Sequence, residues 1–123
     1  MSEAVKPKPV HWLGNSREEM RKLPAAVRDV FGHALYIAQI GQKYYSAKPL
    51  KGFGGAGVLE VVEDHDGDTY RTVYTVKFAD VVYVLHVFQK KSKQGSQTPK
   101  PVKELIKQRL KLAEADYQKR KGL

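Results

Sequence analysis

Residues 58–91 read VLEVVEDHDGDTYRTVYTVKFADVVYVLHVFQKK, and this stretch decides the fold. Three runs rich in Val, Tyr and Thr stand out in it as strands: Val58 to Glu63, Thr69 to Phe78, and Val81 to Gln89. Asp64, His65, Asp66, Gly67 and Asp68 join the first two, and their Asp-Gly pair is a hairpin turn signal. The result is an antiparallel meander. In the second strand Tyr70, Thr72, Tyr74, Val76 and Phe78 share one face, and Arg71, Val73, Thr75 and Lys77 the other. The first set is the more apolar and is expected to pack on helices, which sends Arg71 to the open face, within a ligand's reach. A turn near Ala79 and Asp80 puts residue 71 opposite roughly residue 88, give or take two. Arg71 then faces Lys90 and Lys91. Cations gathered at one end of a sheet repel one another unless something anionic belongs there, and a phosphate backbone is the obvious candidate. Alternation sends the two lysines to opposite faces, so at most one of them shares the side of Arg71.

Outward from this core the chain reads as helices on a sheet. Residues 1–8 carry one proline and two lysines and form a loose N-terminal arm, and Val10 to Leu13 is a first short strand. Ser16 and Glu19 have capping-box spacing, which starts a short helix through Lys22. Pro24 suits the first turn of a second helix, in which Leu23, Val27, Val30, Phe31, Ala34, Leu35, Ile37 and Ala38 fall in one arc, and Gly41 stops it. Lys48 to Gly57, with Pro49 and four glycines, is expected to be a loop. After a polar loop at Ser92 to Thr98, Thr98 and Pro99 begin a last helix as N-cap and first-turn proline. Its stripe is Val102, Leu105, Ile106, Leu110, Ala113 and Tyr117, and residues 118–123 are expected to fray. The order β-α-α-β-β-β-α describes an α+β protein: a helical hairpin and a C-terminal helix packed on a small antiparallel sheet, one domain over residues 1–123.

Composition narrows the partners. Lys and Arg number 22 against 13 Asp and Glu, a net charge of +9 on 123 residues, which favours a polyanion. With no cysteine, disulfides and thiolate chemistry are excluded. Met1 to Pro9 lacks the apolar core of a signal peptide, and no segment approaches the ~20 apolar residues that span a bilayer. A soluble, cytoplasmic chain without membrane contact is expected.

Within this order, Trp12-Leu13-Gly14 near the start, Leu50-Lys51-Gly52 before the meander, Tyr70-Arg71, and Val84 to Lys91 ahead of Thr98-Pro99 make a set. In sequence and spacing the set resembles the RelE/ParE toxin superfamily, and within it the HigB-like, phage-related subgroup of type II toxin–antitoxin systems. The likeness spans about residues 10 to 117. It implies an mRNA interferase, usually one that cuts mRNA in the ribosomal A site, held inactive by a cognate antitoxin with a helix-turn-helix domain. It also implies metal- and cofactor-free chemistry: a base activates the ribose 2′-OH, which attacks the neighbouring phosphate and leaves a 2′,3′-cyclic phosphate and a 5′-OH.

That reaction needs a base, a cation for the phosphorane and an acid for the leaving oxygen. Arg71 matches the family's arginine after an aromatic, and its planar fork suits a phosphate. The alternative is an ion pair with Glu60 or Glu63 on the adjacent strand. Lys90 and Lys91 match the basic pair that ends the family's last strand. The one beside Arg71 is the candidate base, because like-charge repulsion favours its neutral form. Lys48, Lys51, Lys93, Lys100 and Lys103 come from loops and a helix start near the same end of the sheet and are candidates for gripping RNA phosphates. Thr98 at a helix N-terminus is suited to an anion or simply to capping. His86 is a candidate acid or base or a packed strand residue. None of His11, His33, His65 and His86 has metal-ligand spacing to another, and Asp64 to Asp68 reads as a solvated turn, its glycine misplaced for an EF-hand loop. Where some relatives use a C-terminal tyrosine or histidine, this chain has only Tyr117, on an apolar stripe. Two other functions fit the same superfamily: a ParE-like, non-catalytic poison of DNA gyrase, and an inactive RNA-binding relative.

Overall fold

The Asp66-Gly67 pair reverses the chain with two successive left-handed residues: in the computed structural model, which describes residues 5–90 and 98–122, Asp66 has φ 49° and Gly67 φ 83°. Such a turn matches the twist of the strands it joins. β3 (Val58–His65) and β4 (Asp68–Thr75) accordingly pair antiparallel from His65↔Asp68 to Val58↔Thr75. β5 (Val82–Lys90) returns along β4 with Arg71 opposite Phe88, the register expected from the strand ends. β4 stops at Thr75, three residues earlier than expected. There the Thr75 hydroxyl donates to the Ala56 carbonyl and accepts from the Lys77 N–H, while Val76 N–H turns to Gly57.

Two further strands complete a five-stranded sheet of order β1-β5-β4-β3-β2. β1 (Val10–Trp12) lies parallel to β5, with Val10 beside Val82, so the sheet is mixed and not purely antiparallel. β2 (Lys48–Pro49) lies within the stretch expected to be a loop and pairs with Leu59 and Glu60. A proline with no N–H to donate is tolerated there because the strand is an edge.

Helices cover both faces. α1 (Ser16–Arg21) and α2 (Ala25–Gln39) follow β1. The periodicity of α2 holds, with Val27, Phe31, Ala34, Leu35 and Ala38 buried, and Gly41 at φ 82° ends the helix. These side chains meet Val61, Tyr70, Tyr74, Val82, Val84 and Val87 in one core. Each fully buried aliphatic or aromatic side chain there contributes about 1.5–3 kcal/mol. The capping box at the start of α1 does not form. Asn15 takes the N-cap position, and Ser16 is fully buried, its hydroxyl donating to the Val84 carbonyl over 3.4 Å. Burial claims that hydroxyl for the sheet. α3 (Lys100–Arg120) packs on the opposite face, where Ile106 and Ala113 meet Val73, Tyr83 and Leu85 in a second core. It continues past Gln118, where fraying is expected, because Arg120 bonds Asp116 at 2.7 Å and Lys121 bonds Asp80 at 2.8 Å. Of the N-terminal arm, Lys8 is pinned to Gln39 by two hydrogen bonds. Among the described residues no helix is long and apolar enough to cross a membrane.

One irregularity sets which β5 side chains reach which face. Val73 pairs with His86 but Tyr74 with Val84, so Leu85 is the extra residue of a bulge. Before it Val82 and Val84 face α1 and α2; after it Val87 does, while Leu85, His86 and Phe88 all fall on the α3 side.

Candidate anion-binding cleft

Strand alternation and this register put Glu60 and Val62 of β3, Arg71 of β4, and Phe88 and Lys90 of β5 on the α3 side of the sheet. Pairing of β2 with β3 adds Lys48, opposite Glu60. Toward the β2 edge these residues border a cleft of about 440 Å³ between the sheet and the start of α3, lined by Lys48, Leu50, Lys51, Glu60, Arg71, Thr98 and Lys103 among others. Among the described residues four cations stand there against one carboxylate, an arrangement that attracts and focuses anions.

Arg71 itself is not on an open face. Its side chain is 4% exposed, and its Nη1 donates to Glu60 Oε1 at 3.0 Å. Thus the ion pair with Glu60 named above as the alternative is present. Glu60 belongs to the diagonal neighbour of Arg71 across β3 and β4, since Arg71 faces Val62 directly. A buried guanidinium costs several kcal/mol unless a charge opposes it, and Glu60 meets that need. The second carboxylate oxygen, Oε2, accepts the Thr98 hydroxyl at 2.8 Å. Thr98 therefore holds an anion, though one belonging to the protein, and does not cap α3; Pro99 stands at the N-cap. Arg71 keeps one buried donor, Nε, with no hydrogen-bond partner among the described residues.

The remaining candidates divide. Lys48, Lys51 and Lys103 line the cleft; Lys100, exposed at the first position of α3, does not. Lys90 pairs with Thr69, which puts it on the side of Arg71 and one diagonal step from it. It is not among the lining residues. Lys91 and Lys93 lie outside the described residues. His86 is a packed residue. Its ring stacks on Phe88 at 4.8 Å, and its Nδ1 is 3.0 Å from Arg109 Nη1. Burial, with the Arg109 charge second, pulls its pKa down to about 4, so it is neutral at physiological pH. Tyr117 packs against Phe78 at 4.6 Å, and a hydrogen bond to Asp80 raises its pKa.

Glu60 is the site residue that the sequence reading left in a secondary place. Its signal was the diagonal position, legible only once β3 and β4 are in register. A larger concavity, about 700 Å³, lies at the opposite, β1 edge of the sheet, lined by Trp12, Arg17, Arg21, Asp116 and Arg120 among others. There Asp116 already accepts from Tyr83 at 2.6 Å and from Arg120 at 2.7 Å, and none of the described sequence candidates lines it. The smaller cleft is the better candidate on chemistry.

Comparison with known proteins gives a family and a fold. The family model described as phage derived protein Gp49-like (DUF891) matches residues 18–111. Among solved structures the chain is similar to a double arginine-to-alanine mutant of the E. coli toxin RelE in the free state. The TM-score is 0.51 at 23% identity, over 67% of this chain and 82% of that one. It is also similar to a chain of the RelBE2 toxin–antitoxin complex of Mycobacterium tuberculosis, with TM-score 0.46 and 20% identity over 74% of this chain and 100% of that one. No curated protein matches it.

Proposed function

The chain belongs to the Gp49-like family of phage-derived proteins and has a RelE-like α+β fold, and from that premise we propose that it is the toxin of a type II toxin–antitoxin system. In this reading it is a HigB-like mRNA endoribonuclease that acts on the translating ribosome in the cytoplasm, needs no metal, and is silenced by a cognate antitoxin with a helix-turn-helix domain. The observation that carries the reading is the cleft in which Lys48, Lys51 and Lys103 surround a fixed Arg71.

The lysines hold RNA phosphates as mobile point charges, while Arg71 offers a planar fork to the phosphate under attack. Glu60 is the resident counter-ion of that fork. When a phosphate enters, its oxygens replace the carboxylate on Arg71, and the surrounding lysines offset the repulsion between phosphate and Glu60. Lys90 or Lys91 takes the proton from the ribose 2′-OH. The alkoxide attacks phosphorus, Arg71 stabilises the added negative charge, and the bond to the 5′-oxygen breaks as the 2′,3′-cyclic phosphate closes, the leaving oxygen taking a proton from solvent to become the 5′-OH.

Expressing the chain alone, as wild type, with Arg71→Ala, and with Lys90→Ala plus Lys91→Ala, tests this. Wild type should arrest growth and yield mRNA fragments with 5′-OH ends, and both variants should lose at least about 100-fold of the cleavage rate, the scale on which one charge-stabilising or proton-transferring group acts. Unchanged growth and intact mRNA for all three refute it; induction of the DNA-damage response without cleavage would instead favour gyrase poisoning.

A further inference from the structure

Just before the cleft, the chain makes a tight turn in which Ala47 N–H bonds the Tyr44 carbonyl at 3.0 Å. The turn is fixed at both ends: Ala47 is 3% exposed, and Tyr44 packs against the α1–α2 core. Its next residue, Tyr45, is 89% exposed, more than any other large apolar side chain of the described residues. Tyr45 does not hang free. Its ring lies 4.8 Å from that of Tyr44, and Tyr44 in turn meets His33 edge-on at 5.9 Å. A braced aromatic face therefore stands in water with one side uncovered.

The chain runs directly from this turn into β2, whose first residue, Lys48, lines the cleft. Lys43 precedes the turn and is also exposed. Aromatic rings beside a cationic groove are how proteins hold single-stranded nucleic acid, because lysines follow the backbone while each base offers a flat face to stack. We propose that Tyr45 is a base-stacking platform for single-stranded RNA, receiving a base of the strand whose phosphates lie along Lys48 and Lys51. This rests on the reading of the cleft as an RNA site and adds to it: the substrate is held single-stranded, at a nucleotide outside the reacting step, without selection of base identity. A protein surface covering Tyr45 is the rival occupant, and it explains neither the adjoining lysines nor the net charge of +9 as directly.

The test uses the full chain and a twelve-nucleotide single-stranded RNA carrying 2-aminopurine, with affinity read by anisotropy and stacking by quenching of the base's fluorescence. Tyr45→Ala should weaken binding about 5- to 150-fold, the range that loss of one stacked base produces, and abolish the quenching, while Tyr45→Trp keeps both. A double-stranded RNA of the same length should bind Tyr45→Ala and wild type alike. Because Tyr45 is exposed, thermal unfolding of the variants should match wild type. If Tyr45→Ala binds and quenches as wild type does while Lys48→Ala plus Lys51→Ala binds weakly, the platform is refuted and the cleft stands. If wild type binds no RNA, both fall. If Tyr45→Ala disturbs only the complex with a copurifying protein, the rival occupant replaces RNA.

Discussion

Two arginines reach the same side of the sheet and are held in opposite ways. Arg109 of α3 spends its fork on neutral acceptors: Nη1 donates to the Leu85 carbonyl at 2.9 Å and lies 3.0 Å from His86 Nδ1, and Nη2 donates to Asn15 Oδ1 at 2.9 Å. It ties α3 to the β5 bulge and to the start of α1. Among the described residues Arg71 instead has one carboxylate, a buried Nε without a partner, and lysines around the opening. A guanidinium surrounded by uncharged acceptors has nothing to exchange for a phosphate. One whose partner is itself an anion does, since a phosphate replaces like with like. The contrast teaches that burial alone does not distinguish a structural arginine from one suited to a ligand; the charge of its partner does.

The contrast can be broken most forcefully at Arg71. Arg71→Met leaves the Glu60 carboxylate, 13% exposed, with only the Thr98 hydroxyl among the described residues, which should cost about 3–5 kcal/mol in urea unfolding. Arg71→Met combined with Glu60→Leu should recover most of that loss, but not RNA cleavage. Full recovery of cleavage would mean that Arg71 is structural like Arg109.

Gly14 probes the other arginine. It has φ 55°, and a Cβ there would lie 2.5 Å from Arg109 Nη2. Gly14→Ala should cost about 2–3 kcal/mol, the left-handed backbone and displaced guanidinium together, with cleavage retained in the folded fraction. In an Arg109→Met background the same change should cost about 1–2 kcal/mol, only the backbone part. Equal costs in both backgrounds would show that the close approach carries no energy.

The smallest effect is one of pH. His86 has its pKa lowered from 6.5 to about 4 in the folded chain, so the unfolded chain binds the proton more readily. Its contribution is complete above pH 6.5 and is lost as pH falls from about 6.5 toward 4. Allowing for solvent screening of a half-buried ring, the loss is about 1–2 kcal/mol. Urea midpoints at pH 7 and pH 4.5 should diverge by less in His86→Asn, which keeps an acceptor for Arg109 and does not titrate. An equal divergence would assign the acid sensitivity to other groups.

Much of the cleft was legible because it depends on local rules. The Asp66-Gly67 turn sets the β3–β4 register, and strand ends set Arg71 against Phe88. Alternation then put Arg71 and Val73 on one face, as observed. What was not legible depends on contacts between distant segments. The face of Arg71 is covered only because α3 returns across it, with Ile106 and Ala113 on Val73 and Leu85, and Thr98 does not cap because Pro99 takes the N-cap position while the Thr98 hydroxyl turns to donate to Glu60, distant in sequence. No pattern in Val81 to Gln89 marks Leu85 as the extra residue, since Val84, Leu85 and Val87 are apolar enough for either face. The parallel place of β1 escaped for the same reason: three residues carry too little pattern to choose a partner.

That parallel pairing also bears on how the molecule is made. Val10 pairs with Val82, so a chain emerging from the ribosome exposes β1 long before its partner has been synthesised. The hairpin of β3 and β4 closes from neighbouring residues, but the sheet gains its outer strand only when Val82–Lys90 is available. Contacts of such long range slow folding. Growth of the nascent chain thus sets an order of assembly, in which the α1–α2 core waits for β5 and the covering of the Arg71 face by α3 comes last.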